Sequence, residues 1–152
     1  MRTIQEARLH DRLTRAETAK LISQYAINIR GKQANTTKDC SNFQKSIESY
    51  KGSDLYDFMT TSCQLDIMGI NPDRSAIPDF MGEYFLQRKD FGTVFSRLLW
   101  GEANESMNTG DNYWDGHLQA LLKQGIITNR DASLFEVRSR VFLQLYRSTA
   151  KK

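Results

Sequence analysis

Proline, cysteine and histidine are scarce, with two of each in 152 residues. Two cysteines, Cys40 and Cys63, cannot make a zinc site, which would need four ligands at short local spacing. The histidines, His10 and His117, are accompanied by no Gly-x-Ser-x-Gly, His-Glu-x-x-His or glycine-rich phosphate loop, so neither has a nucleophile or metal partner implied by the sequence. No catalytic residue, metal or cofactor is therefore expected. Charge of one sign is also lacking: 21 Lys and Arg against 18 Asp and Glu give a net +3, and apart from Lys151-Lys152 the basic residues are scattered. That argues against nucleic acid, which needs a clustered basic face. No apolar run approaches the roughly 20 residues needed to cross a bilayer, so membrane insertion is not expected. No secretory hydrophobic segment follows Met1, which leaves two readings, an intracellular protein or a mature fragment with an added start.

What is present is a soluble composition, 39% hydrophobic and 26% charged, in a length that suits one domain or a few small repeats sharing a core. The most informative pattern is a helix-opening signal that occurs three times. Thr14-Arg15-Ala16-Glu17, Gln87-Arg88-Lys89-Asp90 and Ser133-Leu134-Phe135-Glu136 each precede an amphipathic run. Thr14 and Ser133 can accept a hydrogen bond from the N–H three residues on while Glu17 and Glu136 reach back, the reciprocal capping box that satisfies two orphaned donors. Thr14, Glu17, Asp90, Ser133 and Glu136 are accordingly read as caps. Folding alone could retain them, since losing such a cap costs about 1 kcal/mol. It does not account for Arg15 and Arg88, because a cation in the first turn opposes the helix dipole.

Periodicity predicts a nearly all-helical chain. The first helix spans Thr14 to about Asn28 on a stripe of Leu21, Ile22, Tyr25, Ala26 and Ile29; residues 31–52 read as an irregular connector. A second helix opens at Ser53-Asp54 with Leu55, Phe58, Met59, Ser62 and Cys63 inward, and Gly69, Asn71 and Pro72 break the chain after it. Residues 70–86 form an apolar loop in which Phe80 and Phe85 plug the core. A third helix covers Gln87 to Trp100, residues 101–111 form a surface loop, and a fourth helix starts near Asp111 to Tyr113 and ends before Gly125. The fifth runs from the Ser133 cap to about Arg147 on Val137, Val141 and Leu145, with Phe142 and Leu143 crowded beside them. Helices two and four align, Asp66-Ile67-Met68 on Gly125-Ile126-Ile127 and Met59, Ser62 and Cys63 on Leu118, Leu121 and Leu122. The repeating unit is thus a helix, a turn, a loop and a capped helix. Residues 43–101 and 107–148 are complete units, and residues 1–30 supply only the last part of an earlier one.

Leu13-Thr14-Arg15-Ala16-Glu17, the turns at Asp66-Ile67-Met68-Gly69 and Gly125-Ile126-Ile127, Phe80 ahead of Arg88, and Phe43 as a unit-opening aromatic together resemble the S-layer homology family of bacterial cell-surface anchoring modules. The resemblance covers most of residues 12–148. It implies an all-α, pseudo-threefold helical bundle of helix-loop-helix repeats with long connecting loops, one domain over 1–152. It further implies a non-catalytic, extracellular role, binding acidic or pyruvylated cell-wall polysaccharide in the grooves between repeats. Carried over by position, Arg15 and Arg88 would contact the acidic group, as a guanidinium at a helix N-terminus adds a bidentate donor to N–H groups that already favour anions. Leu134 stands where the third arginine would be, so the third groove is expected to lack that contact. Cys40 and Cys63, two plain thiols in a reducing compartment, would form a disulfide in an exported module of this kind.

Trp100 and Trp114 are candidate sugar-stacking residues, although a Trp at a helix end is more often core. His117 reads as a surface or semi-buried structural histidine. The incomplete first unit leaves a groove that residues 3–9 could fill, or into which a partner protein could insert a helix. The second functional reading is therefore an interaction module that docks a protein or peptide helix or another copy of the chain.

Overall fold

The computed structural model describes residues 11–105, 114–129 and 131–150. His10, Lys151, Lys152, residues 3–9 and the expected start of the fourth helix at 111–113 lie outside these. The described residues are all-α: five α-helices, α1 (Arg15–Asn28), α2 (Asp54–Gln64), α3 (Arg88–Trp100), α4 (Asp115–Lys123) and α5 (Arg138–Ala150), and one 3-10 segment (Ser41–Tyr50), with only isolated β-bridges besides. No helix among the described residues is long and apolar enough to cross a membrane.

The expected irregular connector contains that 3-10 segment, which buries Phe43 and Ile47 and is tied to α2 by a Cys40–Cys63 disulfide with Cα atoms 6.2 Å apart. Ser53 caps α2 by accepting from the Leu55 N–H, and α2 buries Met59, Ser62 and Cys63 while Leu55 and Phe58 are half-buried. Gly69, at φ +73°, follows. A Cβ there would lie 2.7 Å from the Phe80 ring, so both the left-handed backbone and the close approach require glycine. Phe80 is fully buried and packs edge-on against Phe43. Phe85 does not plug the core as expected; it is 51% exposed, because it belongs to an extended segment whose alternate residue, Leu86, takes the inward position.

Three such extended segments precede α1, α3 and α5, and they close a ring. The N–H of Leu86 donates to the carbonyl of Leu13 at 2.7 Å, that of Glu136 to Leu86 at 2.8 Å, and that of Leu13 to Glu136 at 3.3 Å. Leu13, Leu86 and Glu136 point inward and are buried. Their preceding neighbours Arg12, Phe85 and Phe135 lie outside, with the Arg12 guanidinium 4.1 Å from the Phe135 ring centroid. The ring repeats one residue past each cap position: the N–H of Arg15 donates to Tyr84, that of Arg88 to Leu134 and that of Arg138 to Asp11. Beneath the ring Leu13, Ile22, Phe80, Leu86, Phe91, Phe95, Leu118 and Val141 belong to one buried core.

The ring corrects the expected fifth helix. It does not start at Ser133: Leu134 and Glu136 give their backbone groups to α3 and to Leu86, and Ser133 spends its hydroxyl and its N–H on Asp131 Oδ1 in a local turn. Ser133 and Glu136 are not helix caps. The position equivalent to Thr14 and Gln87 is Val137, four residues later, and the residue that heads α5 is Arg138. Phe142 and Leu143, expected in the core, are on the exposed side of the shifted helix.

Candidate functional site

The three helices that leave the ring, α1, α3 and α5, each begin with an arginine, and each of those arginines lines a groove with the face of the next helix in the ring. The Arg15 groove, about 400 Å³, has the Met68–Pro72 turn on one side and Asp90, Thr93, Val94 and Arg97 of α3 on the other. The Arg88 groove, about 260 Å³, has the Ile126–Asn129 turn and Arg140, Leu143, Gln144 and Arg147 of α5. The Arg138 groove, about 320 Å³, has Glu17, Lys20, Leu21 and Gln24 of α1, and in place of a turn the start of α2, Asp54 and Leu55. The helix contributions fall at the same four positions in all three, an i, i+3, i+4, i+7 stripe.

The first helix is capped as its sequence predicts. Thr14 Oγ1 accepts from the Glu17 N–H at 3.2 Å, and Glu17 Oε1 accepts from the Thr14 N–H at 3.0 Å. Asp90 accepts from the Gln87 N–H at 3.3 Å. Arg15 is half-buried; its Nε donates to the Phe80 carbonyl at 2.9 Å and its guanidinium stands 5.6 Å from the Phe80 ring centroid. Arg88 differs from it. It is 5% exposed, its Nε donates to Glu136 Oε1 at 2.5 Å and its Nη1 to the Asn129 carbonyl at 2.6 Å. Glu136 also accepts from Gln144 Nε2 at 2.7 Å. Arg88 thus forms a wall of its groove with its Nε and Nη1 donors committed.

Trp100 and Trp114 are half-buried against the core, Trp114 with the Lys89 ammonium 5.0 Å from its ring centroid; neither lines any of the three grooves. His117 is fully buried, correcting the expectation of a surface or semi-buried residue. Its Nδ1 is 2.7 Å from Ser96 Oγ and its Nε2 3.6 Å from Glu105. Burial holds His117 below the ordinary imidazole pKa, with Glu105 pulling the other way and Arg97 reinforcing the fall. Glu105 is itself pushed up by burial, but its hydrogen bond and charge contact with Arg97 (2.6 Å), helped by His117 and Arg74, leave it below the usual carboxylate value. This network clamps the chain after α3 to α4 with the His117 ring fully buried.

Sequence reasoning missed Arg138, Arg140 and Arg147. The signal was the spacing: Arg88 and Arg97 are nine residues apart, as are Arg138 and Arg147. Aligning on that pair would have set the third frame correctly.

No protein-family model matches this chain, and neither the curated proteins nor the solved structures contain a significant match to it.

Proposed function

We propose that the chain is a non-catalytic anchoring module of the S-layer homology type, which holds a protein at a bacterial cell surface by binding acidic, pyruvylated wall polysaccharide in the grooves between α1, α3 and α5. In this reading the three helices headed by Arg15, Arg88 and Arg138 are repeats about a pseudo-threefold axis through the hydrogen-bonded ring. The observation that carries it is the recurrence of one groove plan, an arginine at a helix start facing the same four-residue stripe of the next helix. A guanidinium beside a helix N-terminus is chemically suited to a carboxylate. The Cys40–Cys63 disulfide is compatible with an oxidising, extracellular setting.

Co-sedimentation with purified wall sacculi tests the proposal. The chain is expected to pellet with pyruvylated sacculi and to stay in the supernatant with sacculi stripped of pyruvate by mild acid; equal partitioning in the two would contradict it. Phe142, Leu143 and Tyr146, exposed together on α5, favour the second reading, a face that docks a partner helix or another copy. Concentration-dependent dimerisation without sacculus binding would select that reading instead.

A further inference from the structure

The three grooves share a plan but not a charge. In the Arg15 groove Asp90 stands at the third helical position, and Arg97 is held by Glu105 at 2.6 Å. In the Arg138 groove Glu17 occupies that position, and Lys20 is paired with Asp54 at 2.6 Å. The Arg88 groove is different. Arg88 is neutralised by Glu136, and Arg140 and Arg147 add two further cations with no acidic residue among those lining it. Two unbalanced guanidiniums in a concave site raise the local concentration of anions.

Arg140 is the more informative of the two. Its position carries the acid that accepts the cap N–H in α1 and α3, so α5 forgoes that bond and places a cation against the helix dipole. Helix stability gives no reason for that choice. The Arg140 side chain is exposed and makes no hydrogen bond or ion pair among the described residues, whereas Arg147 Nη1 donates to the Ile126 carbonyl at 3.1 Å, which fixes its guanidinium at the groove. Leu143 lies between them on the same stripe and offers an apolar wall of the kind a sugar ring covers.

We propose that the Arg88 groove is the principal acidic-saccharide site of the chain, with Arg140 gripping the anionic group and Arg147 supporting it. This rests on the anchoring reading above and moves the site from the helix-heading arginines to a residue in the following helix. The test is an NMR titration with a 4,6-O-pyruvylated methyl glycoside and, separately, its uncharged methyl ester, against the parent chain, Arg140→Gln, Arg15→Gln and Lys123→Gln. The parent is expected to bind the acid and not the ester. Arg140→Gln is expected to weaken binding by about tenfold or more, the loss that goes with a hydrogen bond to a charged group, and by more than Arg15→Gln; Lys123→Gln, exposed at the end of α4, leaves it unchanged. Loss at Arg15 equal to or greater than that at Arg140 overturns this assignment and leaves the anchoring reading standing. No binding of the acid by the parent overturns both. Arg140 is exposed and makes no side-chain bond among the described residues, so its substitution is expected to fold, and matching thermal melts of parent and variant check that.

Discussion

Glu136 occupies the place in the ring that Leu13 and Leu86 hold in the other two segments, and it puts a fully buried carboxylate into the core. Desolvating such an ion costs several kcal/mol, which is offset only by close partners. Arg88 Nε at 2.5 Å and Gln144 Nε2 at 2.7 Å are those partners. Removing one side of the pair leaves a buried guanidinium uncompensated, so Glu136→Ala should destabilise the chain by about 3–5 kcal/mol. Combining Glu136→Leu with Arg88→Met should recover most of that loss, since an apolar pair fills the space without a charge. Urea unfolding of the three chains measures this, and a single-variant loss under about 1 kcal/mol would remove the ion pair from the account. The same residue shows why part of the site was not legible in the sequence. Ser133 and Glu136 have the spacing of a capping box, and only the backbone bonds to Leu86 and α3 reveal that the segment is extended. Thr14 and Glu17 do form their capping box, since among the described residues no other backbone group claims their capping atoms.

Among the elements, α1, α2 and α3 are legible because their apolar stripes are regular and their ends are marked, as by Ser53 ahead of α2 and Gly101 after α3. The Ser41–Tyr50 segment is not, since only Phe43 and Ile47 go inward, too few apolar residues to mark a stripe in an otherwise polar stretch. Its attachment to α2 is covalent through Cys40–Cys63, which closes a loop of 23 residues. A disulfide closing a loop of that size stabilises by about 3 kcal/mol, chiefly by restricting the unfolded chain. Replacing both cysteines by serine should therefore lower the free energy of unfolding by about that amount, and the parent under reducing conditions should behave alike. An unfolding midpoint that moves in neither case would show that packing of Phe43 and Ile47 alone holds the segment.

At the scale of the whole molecule, the ring of Leu13, Leu86 and Glu136 sets where the three helices begin, and the helix starts set where the grooves lie. Helix-heading arginines were visible in two of three places from sequence; the third was hidden by a frame four residues out, and with it the groove whose charge is least balanced. Groove charge depends on which acids fold back onto which cations. Arg97 and Lys20 are answered by Glu105 and Asp54 from other parts of the chain, pairings that no local pattern announces. Binding at an unbalanced groove should also weaken as salt is raised, because an exposed guanidinium is screened within about 8–10 Å at physiological ionic strength. The most direct measurement is the set of backbone amide shifts in the parent chain on titration with the pyruvylated glycoside. The account predicts perturbations concentrated at Ile126–Asn129 and at Arg140, Leu143, Gln144 and Arg147, with smaller ones at Met68–Pro72. No perturbation at any of the three grooves, or one confined to the exposed Phe142 and Tyr146 face, would contradict it.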